Sequence, residues 1–246
     1  MTRHLLAATV LALVAPLAAC SPGGDAPTVR VLAAASLTDA FTDLAEDFEA
    51  AHPDVEVELS FASSTSLAEQ AADGAPGDVL ATADPAAMRV ATDADAAGEP
   101  TRFATNVVVI ATAPGNPAGI TDLSSLAGTT WVRCADQAPC GRASRELLDA
   151  AGVDAEPASL EEDVRATLEK VTSGEADAGL VYATDARAAS DAVTAVEVPD
   201  ADTVANDYLV APLAQSEHPD LAEDFVELVT GPEGQRVLGE AGFRSP

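Results

Sequence analysis

Two short segments of this 246-residue chain place hydroxyl groups where an apolar strand pattern gives way to a helical one. The first is Val29-Arg30-Val31-Leu32-Ala33-Ala34-Ala35-Ser36-Leu37; the second is Val55-Glu56-Val57-Glu58-Leu59-Ser60-Phe61-Ala62-Ser63-Ser64-Thr65-Ser66-Leu67. A helix start leaves backbone N–H groups without intrahelical acceptors, and the helix dipole adds positive potential there. Serine hydroxyls beside such amides make an uncharged site for an anion. A local role competes with this one. Ser36 with Asp39, and Ser66 with Glu69, have the spacing of a capping box, in which the hydroxyl serves its own helix. At the second segment, capping by Ser66 leaves Ser63, Ser64 and Thr65 spare, which favours a ligand.

The residue types offer little for catalysis. There is no Gly-x-Ser-x-Gly elbow, no Gly-rich phosphate loop with lysine and no dinucleotide fingerprint after a strand. His52 and His218 each precede a proline and lie apart from any nucleophile. Carboxylate pairs are so common in this chain that none is informative. Cys134 and Cys140, six residues apart, read as a disulfide in an exported protein. Half a metal site is the rival reading, but no third and fourth ligand follow. The expectation is therefore no catalytic residue, no bound metal cation and no cofactor.

Lys and Arg number 12 against 41 Asp and Glu, a formal charge of −29, which repels nucleic acid and anionic membrane surfaces. An anion captured by this chain is held by local oriented donors and not drawn in by the overall field. At the N-terminus, Arg3 and His4 precede an apolar run over residues 5–19, the length of a signal-peptide core and short of the roughly 20 residues that span a bilayer. The run ends Leu17-Ala18-Ala19-Cys20, which resembles a bacterial lipobox whose cysteine is lipidated and becomes the mature N-terminus. Residues 1–19 are thus read as a lipoprotein signal peptide and 20–27 as a lipidated flexible tether. Membrane contact is expected through that anchor alone, with the protein held at the outer face of the cell membrane or in a periplasm.

From Thr28 onward short apolar strands alternate with amphipathic helices, the pattern of an α/β protein with largely parallel sheets. Leu37, Ala40, Phe41, Leu44, Ala45 and Phe48 share one helical face, which stops before His52-Pro53. Further helices are expected over residues 66–72, after Asp84-Pro85, over 141–151, over 161–172 and from Thr184, with two more near the C-terminus. The runs 106–112 and 206–212 read as strands crossing between two lobes.

The segments Ala33-Ala34-Ala35-Ser36-Leu37-Thr38, Ser60-Phe61-Ala62-Ser63-Ser64, Gly74-Ala75-Pro76-Gly77-Asp78-Val79, Glu162-Asp163-Val164-Arg165 and Gly174-Glu175-Ala176-Asp177-Ala178-Gly179-Leu180-Val181-Tyr182 closely resemble the molybdate-binding proteins of ABC transporters. The likeness covers nearly all of residues 28–243, in the family's order and spacing. It implies a two-lobed type II periplasmic-binding-protein fold with mixed, mainly parallel sheets and two crossing strands as hinge. Lobe 1 would comprise residues 28–106 and 208–246, and lobe 2 residues 107–207. The resemblance assigns five ligand contacts: Ser36 and Ser64 through hydroxyl and amide donors, Cys140 and Val164 through backbone amides, and Tyr182 through its hydroxyl. Relatives often carry alanine at the position of Cys140, so the side chain differs here while the amide donor survives.

The ligand so implied is molybdate, with tungstate, captured for a membrane permease of an ABC transporter by a monomeric, non-enzymatic protein. Both are fully deprotonated tetrahedral dianions near neutral pH, so each ligand oxygen accepts and each site group can donate. Phosphate retains a proton and asks for an acceptor; none of the five positions is acidic. Sulfate or another oxyanion satisfies the same donor logic and stays open as an alternative, as does an enzyme on the same scaffold.

Overall fold

The computed structural model describes residues 26–246; the apolar leader, Cys20 and the tether as far as residue 25 lie outside the described residues. Among the described residues there are ten strands: β1 (Thr28–Ala34), β2 (Glu56–Ala62), β3 (Val79–Thr82), β4 (Thr101–Asn106), β5 (Val108–Thr112), β6 (Trp131–Cys134), β7 (Ser159–Glu161), β8 (Ala178–Tyr182), β9 (Thr194–Glu197) and β10 (Asn206–Pro212). Eight α-helices accompany them: α1 (Thr38–Ala51), α2 (Ser64–Ala72), α3 (Pro85–Asp93), α4 (Pro139–Ala150), α5 (Val164–Thr172), α6 (Ala183–Ala188), α7 (Pro219–Thr230) and α8 (Pro232–Ala241).

The strands form two five-stranded sheets, ordered β2-β1-β3-β10-β4 and β7-β6-β8-β5-β9. In the first, β1 pairs in parallel with β2 and β3, while β10 runs antiparallel to β3 and β4. In the second, β6 is parallel to β7 and β8, and β5 is antiparallel to β8 and β9. Each sheet is thus evenly mixed, because a strand arriving from the other sheet enters against the direction of the local βαβ units. The parallel strands are joined through helices, as their connections require.

Period-2 alternation explains why the first sheet needs helices on both faces. Val29, Val31 and Ala33 of β1, Val79 and Ala81 of β3, and Tyr208 and Val210 of β10 share one core with α1, α7 and α8. Leu32, Leu80 and Ala211, on alternate positions, share a second core with Leu67 of α2 and Met88 of α3. Phe41 and Phe48 of α1 meet Phe225 of α7 at ring-centroid distances of 6.0 and 5.3 Å. The second sheet has its own core, in which Trp131, Ile110 and Leu180 are fully buried. Each buried side chain of this size contributes roughly 1.5–3 kcal/mol by leaving water.

Several boundaries differ from those expected from sequence. The run 106–112 is divided at Val107, whose amide is taken by the Asn106 side-chain oxygen at 2.9 Å; β4 therefore ends in one sheet and β5 begins in the other. The chain returns at Asn206, which lies opposite Asn106, so the two connections between sheets run side by side. Helix α2 starts at Ser64 rather than 66, and α4 at Pro139, a proline preorganised for a first helical position. Helix α5 starts at Val164 rather than 161, because residues 159–161 add a short strand and Asp163 caps the helix.

Candidate functional site

The parallel strands of both sheets direct their carboxyl ends at one small cavity, the position where open α/β sheets hold ligands. This cavity, of about 10 Å³, is bounded by Ala34, Ala35 and Ser36 after β1, Ala62, Ser63 and Ser64 after β2, and Ala83 after β3. Pro139, Cys140, Asp163, Val164 and Tyr182 complete the wall from the second sheet. All five residues singled out from sequence, Ser36, Ser64, Cys140, Val164 and Tyr182, line this cavity, and each is at least nine-tenths buried.

Four helical starts converge here: the short 3-10 turn Ala35–Leu37, then α2, α4 and α5. Their first-turn amides have no acceptor within the helix. The capping boxes expected at Ser36 and Ser66 do not form: neither α1 nor α2 has a side-chain cap bond. Ser36 Oγ instead shares a hydrogen bond with Tyr208 Oη at 2.8 Å, and Ser64 Oγ accepts the Ala83 amide at 2.9 Å. The Ala83 amide occupies one of the two lone pairs of Ser64 Oγ, and that bond leaves the Ser64 proton for another partner. Ser66 lies inside α2, where its Oγ accepts from Gln70 Nε2 at 3.3 Å.

On the opposite wall, Asp163 Oδ1 accepts the amides of Arg165 and Ala166 at 2.8 and 3.0 Å but not that of Val164. Asp163 is itself part of the lining, so the wall includes one carboxylate, turned over its own helix start. A disulfide joins Cys134, at the end of β6, to Cys140, in the first turn of α4, with Cα atoms 5.7 Å apart. Gly141 permits this tight return, since a Cβ there would stand 1.9 Å from the Ala135 carbonyl oxygen. The sulfur of Cys140 is occupied in that bond.

Tyr182 closes the site. Its hydroxyl is buried and has no hydrogen-bond partner among the described residues, an expensive arrangement for a donor. Burial, ahead of neighbouring Tyr208, Asp84 and Asp185, pushes its phenol well above the ordinary value against the opposing pull of Arg142, so the group stays a protonated donor. The ring packs edge-on against Tyr208 at 6.0 Å.

No lysine or arginine lines the cavity. The nearest cations are engaged in ion pairs that bridge the two sheets' helices. Arg142 of α4 reaches Asp84, the N-cap of α3, at 2.7 Å, and Arg165 of α5 pairs with Asp39 of α1. Thr65 of α2 also donates to the Gln137 carbonyl at 2.7 Å. Asp185, fully buried, lies 3.2 Å from Arg165 Nε without hydrogen-bond alignment. Burial outweighs that arginine and pushes the Asp185 carboxyl up to about 7.

Sequence reasoning did not reach Tyr208, Asn106, Asp163 or the bridging arginines. Asp163 carried a usable signal, an Asp before an apolar-periodic helix. Tyr208 lies 172 positions from Ser36 and carried none.

The sequence model of the bacterial extracellular solute-binding proteins matches residues 29–244. The molybdate-binding protein ModA of Mycobacterium tuberculosis is 44% identical over 247 aligned positions, covering 95% of this chain and 95% of that protein. The molybdate-binding protein ModA of Escherichia coli is 31% identical over 232 positions, covering 89% and 90% respectively. Among solved structures, the periplasmic molybdate-binding protein of Azotobacter vinelandii superposes with a TM-score of 0.75 at 20% identity, over 89% of this chain and 99% of that one. The sulfate-binding protein SubI of M. tuberculosis gives 0.78 at 18%, over 89% and 87%. At these structural identities the likeness concerns the fold: two α/β lobes with a cleft between them.

Proposed function

Because the chain belongs to the bacterial extracellular solute-binding protein family, whose members bind and do not catalyse, we propose that its solute is molybdate, with tungstate as a close substitute. The observation that carries this reading is the donor set around a cavity free of cationic side chains: hydroxyls of Ser36, Ser64 and Tyr182, and first-turn amides at Cys140 and Val164. A dianion with four acceptor oxygens and no proton suits such a wall. Hydrogen bonds to a charged group contribute roughly 1.5–3 kcal/mol each, so five or more reach micromolar affinity or tighter after the cost of association.

In this reading residues 28–106 with 208–246 form one lobe and 107–207 the other, and the ligand gains donors from both only when they close. Closure is then a population shift driven by that difference in contacts. The Arg142–Asp84 and Arg165–Asp39 pairs, which link the two sides next to the cavity, favour the closed arrangement. Lipidation at Cys20 would hold the monomeric protein at the outer face of the cell membrane or in a periplasm, where it hands the anion to an ABC permease. Among the described residues no helix is long and apolar enough to cross a membrane.

Calorimetric titration tests the assignment. Micromolar or tighter binding of molybdate and tungstate, with much weaker sulfate binding, is the expected result. Sulfate binding without molybdate binding would reject it.

A further inference from the structure

We propose that Asn106 and Tyr208 form a one-way hydrogen-bond relay that fixes Ser36 as a donor, and so help the site reject anions that carry a proton. This rests on the oxyanion reading above and deepens it. The relay starts with an amide whose orientation is set by the backbone. Asn106 Oδ1 accepts the Val107 N–H at 2.9 Å, so its Nδ2 faces the other way. There it donates to Thr184 Oγ1 at 2.8 Å and stands 3.5 Å from Tyr208 Oη.

An amide nitrogen offers only protons. The single proton of the Tyr208 hydroxyl therefore points away from Asn106, toward Ser36 Oγ at 2.8 Å. Ser36 then accepts from behind, which biases its own proton toward the cavity. Ser64 is treated alike, since the Ala83 amide occupies one of its two lone pairs from behind. Both serines that line the first wall are held as donors toward whatever occupies the space between them.

Tyr208 is suited to this role. It is fully buried, and Phe103, Tyr182 and Phe243 hold its ring edge-on at 6.1, 6.0 and 5.3 Å. Burial raises its phenol far above the ordinary value, so the proton it passes to Ser36 stays bound. Chains of this kind polarise one another in a dry interior, which strengthens the terminal donor. Without the Tyr208 hydroxyl, nothing behind Ser36 holds its proton toward the cavity, so the hydroxyl can rotate and turn its lone pairs to a ligand proton such as that of hydrogen phosphate. Tyr208 and Asn106 are thus positioning residues for specificity, with no contact of their own to the anion.

The test measures binding of molybdate and of inorganic phosphate at neutral pH by calorimetry, for wild type, Tyr208→Phe, Ser36→Ala and the double variant. Tyr208→Phe should weaken molybdate binding about tenfold and shift the phosphate-to-molybdate affinity ratio toward phosphate by at least about tenfold. In the Ser36→Ala background the same change should have little further effect, because the relay has lost its output. Asn106→Asp provides a second route: it keeps the bond from Val107 but accepts from both neighbouring hydroxyls, so it too should shift the ratio toward phosphate. An unchanged ratio in folded Tyr208→Phe or Asn106→Asp, or full additivity with Ser36→Ala, overturns the relay. Failure of wild type to bind molybdate, tungstate or sulfate overturns the functional reading itself, and the relay with it.

Discussion

Replacing Tyr182 with phenylalanine separates a ligand-binding hydroxyl from a structural one. The hydroxyl is buried and makes no hydrogen bond within the described protein, so its removal takes away no internal contact. Leaving a polar group buried and unpaired costs about 1–3 kcal/mol, and the ligand-free variant should be as stable as wild type or more stable by up to that amount. For a folded chain of this size each kcal/mol moves Tm by about 2–4 °C. Binding should respond in the opposite direction. Loss of one hydrogen bond to a charged oxygen, about 1.5–3 kcal/mol, raises Kd by about 10- to 150-fold.

The two effects predict a crossing. With molybdate at about 100 times the wild-type Kd, wild type gains roughly 2.7 kcal/mol of stability; a variant whose Kd has risen a hundredfold gains about 0.4 kcal/mol. Calorimetric melting of both proteins, with and without molybdate, reads this directly. The variant should melt at or above wild type alone and below it with ligand. A variant that melts lower without ligand and binds with affinity within about twofold of wild type would falsify the assignment of Tyr182 to the ligand.

Other perturbations follow from particular contacts. Ser64→Ala should weaken binding at least about tenfold and also lower ligand-free stability by about 1–3 kcal/mol in urea unfolding, because the buried Ala83 amide loses its acceptor; Ser36→Ala should give the binding loss with a smaller stability cost. The Asp185 carboxyl is raised in the fold from 3.8 to about 7, so the native state holds this proton more tightly than the unfolded chain. Its contribution to stability is complete below about pH 4 and is lost as pH rises through about 7. Asp185→Asn should therefore gain on wild type between pH 5 and pH 8, by at most roughly 3 kcal/mol, and a gap that stays flat across that range would reject the argument. Reducing the Cys134–Cys140 bridge should cost roughly 2 kcal/mol for so short a loop, lowering Tm by about 4–8 °C in a melt with reductant.

Much of the fold could be read locally. The helix after Asp84-Pro85 has a strong start signal and lies where that signal puts it. The short strands at 131–134, 159–161 and 194–197 went unread, since three or four residues carry too little pattern. Their pairing partners lie far along the chain, and pairing is what stabilises them. The even mixture of parallel and antiparallel neighbours was hidden for a related reason: a crossing strand's direction depends on the sheet it joins.

The candidate site divides in the same way. Ser36 and Ser64 stand in contiguous strings in which a strand end, a hydroxyl residue and a helix start succeed one another, whereas Cys140, Val164 and Tyr182 were assigned by the resemblance to the molybdate-binding proteins. Such strings determine which amides and hydroxyls are free to donate, because helix geometry leaves first-turn N–H groups unbonded wherever the helix is placed. What each hydroxyl does next was decided by tertiary structure. Ser36 has the spacing of a cap, yet it faces Tyr208, and Ser66 has the same spacing, yet it sits within α2. The choice between cap and ligand donor depends on which distant group approaches from behind, and the pairing of β3 with β1 and of β10 with β3 settles that. The sequence alone therefore determined a chain with donors at helix starts; only the packed sheets determined that they surround one cavity and which distant group stands behind each serine.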